Sequence, residues 1–378
     1  MMPPKPTGVS GLARRSAAPP VPHDNRDEVY AALDLGTNSC RMLLAQPRLG
    51  GLDVIDSFSK AVQLGIGLEG SGRLSRPAIQ RTINALRICR RKLNQHNVRR
   101  MRLVATEACR RASNSKSFIE TVRRETGLCL DVISAEEEAR LAVISCAPLV
   151  NPETEQLLVV DIGGGSTELV WLDLSEVAPV RRRDAILDMH GGSLTSDTGQ
   201  VRVVDWISVP LGVATLRDQF IDVEDDCGCF ALMSCHFEEH LQDFIPYGRP
   251  HDRKGFQIVG TSGTITTVAA SFLGLKRYDR GLVDGLDMTS DQINGVIREY
   301  LSLGPEGRRC DPRIGRDRHT LIMPGVAILQ ALLRTWPTDH LLAADRGLRE
   351  GLLYAQMRAD GVMEPATPKP ALAAGKTI

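Results

Sequence analysis

Two short stretches of the sequence contain the residue types that proteins use to handle phosphate. Three residues of each stretch match in type and spacing, 127 residues apart: Asp34, Gly36 and Ser39, then Asp161, Gly163 and Ser166. Glycine lets successive backbone N–H groups turn toward one anion, and hydroxyl groups add donors. An aspartate at a strand end can hold a hydrated Mg²⁺ ion, which offsets the charge of phosphate groups. The repeat therefore predicts two phosphate-binding turns.

Two further features offer donors to an anion. The turn from Gly260 to Gly263 follows a predicted strand and precedes a predicted helix, whose N-terminus can contact phosphate. Arg110 lies just beyond another predicted strand, where its planar guanidinium can bind phosphate with two parallel hydrogen bonds. Each feature alone is a weak signal, and a purely structural role is the more common explanation for the third turn.

A run of glutamates supplies candidate acid–base groups. Ser134 and Glu137 fit a capping box, and acidic residues in a first helical turn interact favourably with the helix dipole. These roles account for Glu136 and Glu137 and leave Glu138 free to face a cleft. Hydrolysis of a phosphoanhydride needs a group that orients or activates water. Glu138 is a candidate for that group, and Glu168 is its candidate partner for water or metal.

The apolar pattern predicts the elements that position these residues. Buried-strand patterns at 29–35 and 157–162 lead into the two turns, and residues 41–45 and 167–172 resume as strands. Helix-like and strand-like blocks alternate between the two hairpins, which is typical of mixed sheets flanked by helices. A hairpin that occurs twice implies two related lobes facing each other across a cleft.

Length and composition agree with two soluble lobes. The chain has 378 residues, of which 42% are apolar and 24% charged. Its formal net charge is zero and gives no argument for nucleic acid or a membrane. Between residues 73 and 124, however, fifteen lysines and arginines accompany only Glu107 and Glu120. This segment is either a surface that attracts a polyanion or a solvated helix face.

The cysteine pattern favours a reducing compartment. Nine cysteines occur without the regular spacing of a disulfide framework. No apolar run approaches the ~20 residues that span a bilayer, so we expect a cytoplasmic protein. Residues 1–27 and 361–378 are predicted to be disordered tails. One group has zinc-ligand residue types but no common zinc spacing, so we interpret it as packing: Cys227, Cys229, Cys235, His236 and His240.

Taken together, these motifs resemble the exopolyphosphatase and guanosine pentaphosphate phosphatase family of the actin-like ATPase superfamily. The resemblance covers roughly residues 28–358 and is to the short, two-lobed members. The matching stretches occur in family order: 34–41, 105–110, 137–140, 161–168, 209–212, 260–263 and 347–351.

The resemblance implies an α/β fold with two actin-like (ribonuclease H-like) lobes, mixed sheets flanked by helices, and a cleft between them. The first lobe would contain residues 28–150 plus about 341–360, and the second residues 151–340. Residues 347–351 would begin a helix that returns to the first lobe, or simply a packing helix. Residues 184–199 depart from the family pattern and are interpreted as an inserted loop rich in Gly, Ser and Asp, which either contacts substrate or is disordered.

The resemblance also assigns roles to residues. Glu138 would be the catalytic base toward water, Glu168 would help to place that water, and Mg²⁺ would lie near Asp34, Asp161 and Glu168. A monovalent cation such as K⁺ would assist, and the protein would be a homodimer. The residues expected to bind phosphate are Gly36, Thr37, Asn38, Ser39, Arg41, Arg110, Gly163, Gly164, Gly165, Ser166, Thr167, Gly260, Thr261, Ser262 and Gly263.

The sequence thus predicts a phosphoanhydride hydrolase that releases terminal phosphate from polyphosphate or guanosine pentaphosphate. Two alternatives remain open at this point. One is a regulator that binds polyphosphate or an alarmone without turnover, which the intact carboxylates disfavour. The other is a kinase of the same superfamily, which the Glu-Glu-Ala-Arg segment at residues 137–140 disfavours.

Overall fold

The computed structural model of the chain describes residues 28–48, 51–195, 200–247, 255–315 and 318–363. The tail predicted at residues 1–27 and most of the one predicted at 361–378 lie outside these ranges. Thirteen helices are present in the described residues: α1 Leu68–Ser71, α2 Arg76–Gln95, α3 Glu107–Arg111, α4 Ser115–Thr126, α5 Ala135–Cys146, α6 Arg182–Leu187, α7 Val213–Gln219, α8 Asp226–Glu239, α9 Gly263–Phe272, α10 Arg280–Val283, α11 Ser290–Cys310, α12 Ile322–Thr335 and α13 Leu348–Ala359.

The strands form two mixed sheets with the same topology. The first sheet has the order β3-β2-β1-β4-β5 and the second has β10-β11-β9-β6-β7-β8. Without the edge strand β10, the second order repeats the first. The strands are β1 Val29–Leu35, β2 Ser39–Arg48, β3 Gly51–Ala61, β4 Val98–Ala105, β5 Asp131–Val132, β6 Gln156–Ile162, β7 Thr167–Asp173, β8 Arg202–Val209, β9 Phe256–Thr261, β10 Leu286–Met288 and β11 Leu341–Ala344.

In each sheet the central strand pairs antiparallel with the next strand along the chain and parallel with a later one. Strand β1 pairs with β2 and β4 in this way, and β6 pairs with β7 and β9. The fold that the repeated hairpin predicted, two related lobes with mixed sheets, is confirmed.

Strand alternation creates three apolar cores separated by the two sheets. In β1, Ala31 and Leu33 face an outer core with α2, whereas Tyr30 and Ala32 face a central core. In β6, Leu158 and Val160 face the other outer core, and Leu157 and Val159 face the central one. Side chains of α5 and α13 fill the central core, so these two helices lie between the sheets.

The same alternation determines where the two strand-end aspartates point. Successive side chains of a strand point to opposite faces. Asp34 therefore lies on the face of Tyr30 and Ala32, and Asp161 lies on the face of Leu157 and Val159. Both carboxylates consequently emerge on the facing surfaces of the two sheets, at the ends of the central strands.

Two sequence-based boundaries were wrong in detail. Residues 341–344 pair with β9 and β10 in the second sheet, so the chain returns to the first lobe only with α13. There, Gln356 Nε2 donates to the Ala31 carbonyl and Tyr30 Oη donates to Asp360. The segment expected to be an inserted loop from residue 184 is helical through residue 191, because Ile186 and Leu187 pack into the central core.

Helices α5 and α13 cross at a glycine. A Cβ atom built on Gly351 would lie 2.1 Å from the carbonyl oxygen of Leu141, and that oxygen belongs to the backbone. Neither backbone can move aside without displacing its helix, so the crossing requires glycine at this position. The close approach sets the position of α5, the helix that carries Glu138.

Gly351→Ala should lower the free energy of unfolding by about 2 kcal/mol, because the added methyl forces the two helices apart. Gly295→Ala in α11 is a matched control, since a Cβ built there meets no described atom within 4 Å. That control should be neutral or more stable by up to ~1 kcal/mol, because alanine favours a helix. Urea unfolding of both variants measures the difference, and equal stability would contradict the proposed crossing.

Candidate active site

The two predicted turns have the same backbone geometry. The N–H of Gly36 donates to the carbonyl of Ser39 at 3.0 Å, and the N–H of Gly163 donates to the carbonyl of Ser166 at 2.9 Å. The residue opposite each aspartate differs, however. Arg41 is the cross-strand partner of Asp34, whereas Glu168 is the partner of Asp161. The repeat therefore builds two similar turns, one with a cation beside it and one with a second carboxylate.

The two turns touch each other across the gap between the lobes. A Cβ built on Gly165 would lie 2.5 Å from Thr37 Oγ1, and one built on Gly164 would lie 3.3 Å from Asn38 Cβ. A third segment packs closely against the second turn. A Cβ atom built on Gly212 would lie 2.5 Å from the carbonyl carbon of Gly164. Glycine at these positions is what allows the three segments to approach so closely.

A cleft of about 750 Å³ lies beside this contact. Its walls include both hairpin turns, the third predicted turn and the beginning of α13. Ser262 also caps α9, because its hydroxyl oxygen accepts from the N–H groups of Thr264 and Ile265, each at 3.1 Å. The sequence-predicted residues that line the cleft are Asp34, Gly36, Thr37, Asn38, Ser39, Arg41, Glu138, Asp161, Gly163, Gly164, Gly165, Ser166, Thr261, Ser262 and Gly263.

The carboxylates at the cleft share an unfavourable environment. Burial raises the pKa of Glu138 to about 8, the charge of Glu168 adds to this, and Arg110 opposes it. Burial also raises the pKa of Asp161 to about 8, with contributions from Glu138 and Asp34. The pKa of Asp34 is raised in the same way, mainly by burial. Closely spaced carboxylates cannot all ionise easily without a compensating cation.

Glu168 is held rigidly inside this group. It is 2% exposed, and its Oε1 atom accepts from the hydroxyls of Ser166 at 2.7 Å and Ser208 at 2.9 Å. Burial and the charge of Asp161 raise its pKa to about 7, while the two hydroxyl donors oppose the rise. These two hydrogen bonds hold the Glu168 carboxylate in one orientation beside Asp161, its cross-strand partner, although Glu168 itself does not line the cleft.

Arg110 does not lie where the sequence suggested. It donates to Glu138 Oε2 at 2.7 Å, to Glu107 Oε2 at 2.8 and 3.1 Å, and to the Ile133 carbonyl at 3.1 Å. Its guanidinium is thus directed at two carboxylates and is absent from the cleft lining. In this structure Arg110 orients Glu138, because the positive charge and the short hydrogen bond hold the carboxylate in one place.

Two other predicted phosphate ligands are structural. The Thr167 side chain is fully buried, and its hydroxyl donates to the carbonyl of Leu211 at 2.7 Å. Gly260 is buried within β9, and a Cβ there would lie 3.0 Å from the Ile265 side chain. Both residues stabilise the neighbourhood of the turns without reaching the cleft.

Several basic residues of the cleft were missed by the sequence reasoning. Lys60, Arg318, Arg346 and Arg349 all line it. Arg346 is engaged by the carboxylate of Asp284, and Arg318 donates to the carbonyl of Gly263 at 3.0 Å. Arg349 belongs to the 347–351 stretch that the sequence had singled out. The other three lie outside every motif, and only the folded chain brings them to the cleft.

The basic segment between residues 73 and 124 is less positive than its composition indicates. Carboxylates from distant parts of the chain pair with many of these residues, Asp56 with Lys92 and Glu125 with Arg87 among them. At least seven of the fifteen basic residues have such a partner, distant in the sequence, within 4.0 Å: Arg87, Lys92, Arg99, Arg100, Arg102, Arg110 and Arg111. The interpretation as a solvated and internally paired surface is therefore favoured over a concentrated polyanion field.

The donor set at the cleft suits a magnesium ion that is shared with substrate. Among the described residues, no three His, Cys, Asp or Glu side chains are grouped closely enough to hold a metal by themselves. Mg²⁺ commonly uses one or two carboxylates and completes its shell with water and substrate phosphate oxygens. The buried carboxylates of Asp34, Asp161 and Glu168 are oxygen groups of the kind that Mg²⁺ uses, and their raised pKa values show that a nearby cation would favour their ionised form.

The cysteine and histidine group lies on α8, away from the cleft lining. Cys227 and Cys235 are exposed, and the rings of His236 and His240 pack edge to face with centroids 4.9 Å apart.

Within the described ranges, no helix is long and apolar enough to cross a membrane.

Two actin-like lobes with a cleft walled by glycine turns and by charged side chains of both signs define a class of phosphate-handling proteins, and comparison with known proteins specifies the family. The model of the Ppx/GppA phosphatase family matches residues 44–359. The chain therefore belongs to this phosphatase family, as its motifs had indicated.

Individual relatives agree with this membership. A guanosine-5'-triphosphate,3'-diphosphate pyrophosphatase of Aeromonas salmonicida is 27% identical over 326 residues, which are 86% of this chain and 59% of that protein. The chain thus spans little more than half the length of this relative. The crystal structure of the Aquifex aeolicus Ppx/GppA family member is 30% identical with a TM-score of 0.70, covering 88% of this chain and 98% of that one.

A crystal structure of an exopolyphosphatase-like protein is also similar. It is 26% identical with a TM-score of 0.73, and the match covers 88% of this chain and 99% of that one. The near-complete coverage of both solved structures confirms that the two-lobed arrangement is that of the family.

The raised pKa of Glu168 makes the stability of the protein depend on pH. A carboxyl whose pKa is higher in the folded state stabilises the fold fully below its unfolded pKa, and this contribution is lost as the pH rises through the folded pKa of about 7. Glu168→Gln carries no charge, and its oxygen can still accept from Ser166 and Ser208. Without divalent cations, the variant should gain on the order of 2 kcal/mol over the parent at about pH 8 and little at about pH 4.

Thermal unfolding across this pH range, with a chelator present, measures the effect. The exposed Glu153→Gln serves as the control and should show no such divergence. A Glu168→Gln difference that stays constant with pH would show that the buried charge is not the cause.

Proposed function

We propose that the protein hydrolyses a phosphoanhydride, releasing terminal phosphate from polyphosphate or guanosine pentaphosphate, with Glu138 as the base toward water. The observation that carries the proposal is the position of Glu138. Its carboxylate is 9% exposed, lines the cleft beside both glycine turns and is held by Arg110 at 2.7 Å. A general base needs such a fixed carboxylate next to the space where the reacting phosphate lies.

The arrangement supports a simple reaction. Backbone N–H groups and hydroxyls of the two turns would hold the terminal phosphate, with Arg41 nearby as a fixed cation. Glu138 would accept a proton from water while the water oxygen forms its bond to the terminal phosphorus. The bond from phosphorus to the bridging oxygen would break, and its electron pair would leave with the shortened chain. Glu168 would orient the water from the opposite side.

A magnesium ion fits this scheme. When bound, Mg²⁺ supplies positive charge to the phosphate oxygens and so favours the loose transition state of phosphoryl transfer. Asp34, Asp161 and Glu168 are the residues that would hold it. We extend the proposal to K⁺ as an assisting cation and to a homodimer, which rest on the family resemblance, and to a cytoplasmic location, which rests on the scattered cysteines.

Glu138→Gln should lower phosphate release from either substrate by at least ~100-fold, because an amide cannot accept the proton from water. The variant should still bind substrate, since the turns and cations are unchanged. Phosphate release from purified protein with Mg²⁺, together with equilibrium binding of the same substrate, separates the two effects. Glu137→Gln is the matched control, because that carboxylate pairs with Arg102 at 2.8 Å outside the cleft, and it should keep most of the activity.

The same assay tests the two alternatives. Binding without release by the parent protein would favour a regulator, and transfer of phosphate to an acceptor would favour a kinase. Full activity of Glu138→Gln would remove Glu138 from the role of base. Turnover of polyphosphate compared with guanosine pentaphosphate under identical conditions identifies the preferred substrate.

A further inference from the structure

The connection between β7 and β8 contacts helices that belong to the other half of the fold. It includes α6 and a short helical turn, Asp188–Gly191, and it is described through residue 195. Its apolar residues Ile186, Leu187 and Leu194 are buried in the central core with α5 and α13. The connection leaves from a strand of the second sheet, yet it packs on α5, the helix that directly follows the first sheet.

Polar contacts join this connection to α5 at two points. The N–H of Leu194 donates to Glu136 Oε1 at 2.8 Å, and the Ser193 hydroxyl donates to the same oxygen. One turn further along α5, Arg140 donates to the carbonyls of Met189, at 3.2 Å, and His190. Residues four apart lie on the same face of a helix, so both contacts hold one face of α5.

Glu138 lies on the opposite face. With 3.6 residues per turn, each residue is rotated by about 100° from the one before it, so Glu138 points roughly 200° away from Glu136. The face that the connection holds and the face that lines the cleft are therefore back to back. Two attachments a full turn apart prevent the helix from rotating about its axis, and that rotation is what would swing Glu138 out of the cleft.

A further contact joins the connection to α13. Arg358 donates to Asp188 Oδ1 at 2.9 and 2.7 Å through Nε and Nη2. Since α13 crosses α5 at Gly351, the connection holds both central helices at once. The arrangement is a clamp with three polar attachments, which meet α5 at Glu136 and Arg140 and α13 at Arg358.

We infer that the β7–β8 connection is a clamp that sets the rotation of α5, and that Glu136 and Arg140 are positioning residues for Glu138. The inference rests on the proposed function, because it concerns how the base of that reaction is aimed. It assigns a role to an insertion whose chain position gives no indication of contact with the base.

Glu136→Ala removes the acceptor of the hydrogen bonds from Ser193 and Leu194 and should lower kcat by about tenfold or more, since small displacements of a catalytic group are costly. KM should change less than about twofold, because Glu136 does not line the cleft. Glu136→Gln keeps an oxygen that can accept from Leu194 and Ser193, and should restore most of kcat. Glu120→Ala, an exposed glutamate of α4 that is away from the connection, is the control and should stay near the parent value.

Combining substitutions shows whether Glu136 acts through Glu138. Glu136→Ala placed in the Glu138→Gln background should cause no further loss of the residual rate, because no base remains to be aimed. Ser193→Ala, which removes one of the two donors from the connection side, should cause a smaller loss of kcat and provides a second route if Glu136→Ala folds poorly.

Three results would overturn the clamp: parent-like kcat in Glu136→Ala, equal losses in Glu136→Ala and Glu136→Gln, or an undiminished loss in the Glu138→Gln background. Failure of the proposed function is recognised separately. If the proposed function is wrong, Glu138→Gln remains active. If only the clamp is wrong, Glu138→Gln is inactive but Glu136→Ala remains active.

Discussion

Mutual repulsion among the buried carboxylates at the cleft is the constraint on which the rest of the site depends. Asp34, Glu138, Asp161 and Glu168 are brought together by strand ends and one helix, and burial raises the pKa of each. Ionising all four of them at once is unfavourable unless a compensating positive charge lies beside them. The folded protein therefore holds a cluster of carboxylates whose ionised forms a bound cation would stabilise.

The surrounding fold keeps these mutually repelling carboxylates from moving apart. Two helices packed between the sheets hold the carboxylates in place, and their crossing at Gly351 leaves no space for adjustment. Arg110 fixes Glu138 from one side, and the hydroxyls of Ser166 and Ser208 fix Glu168 from another. Each of these contacts is a short hydrogen bond. Glu138 and Glu168 therefore keep one defined position although neighbouring carboxylates repel them.

Duplication explains the symmetry of the site, and one cross-strand position explains its asymmetry. Both hairpins repeat the same backbone turn and deliver an aspartate to the facing surfaces of the sheets. The residue opposite that aspartate is Arg41 in one lobe and Glu168 in the other. This single difference in charge places a cation beside one turn and a second carboxylate beside the other.

The sequence by itself determined the repeated hairpins, the two-lobed fold and most of the cleft lining, because these follow from local patterns: strand alternation, glycine turns and a capped helix. Interpretation of the sequence was incomplete where the residues that interact are far apart in the chain. Arg110 was expected at phosphate but binds Glu107 and Glu138. The sequence left open whether the basic segment attracts a polyanion, and remote acids such as Asp56 and Glu69 pair with several of its residues. Only the tertiary structure decided which charged side chains pair, which sheet contains β11 and which helices the β7–β8 connection holds. Contacts between distant residues depend on how the lobes pack, and they leave no periodic pattern in the sequence.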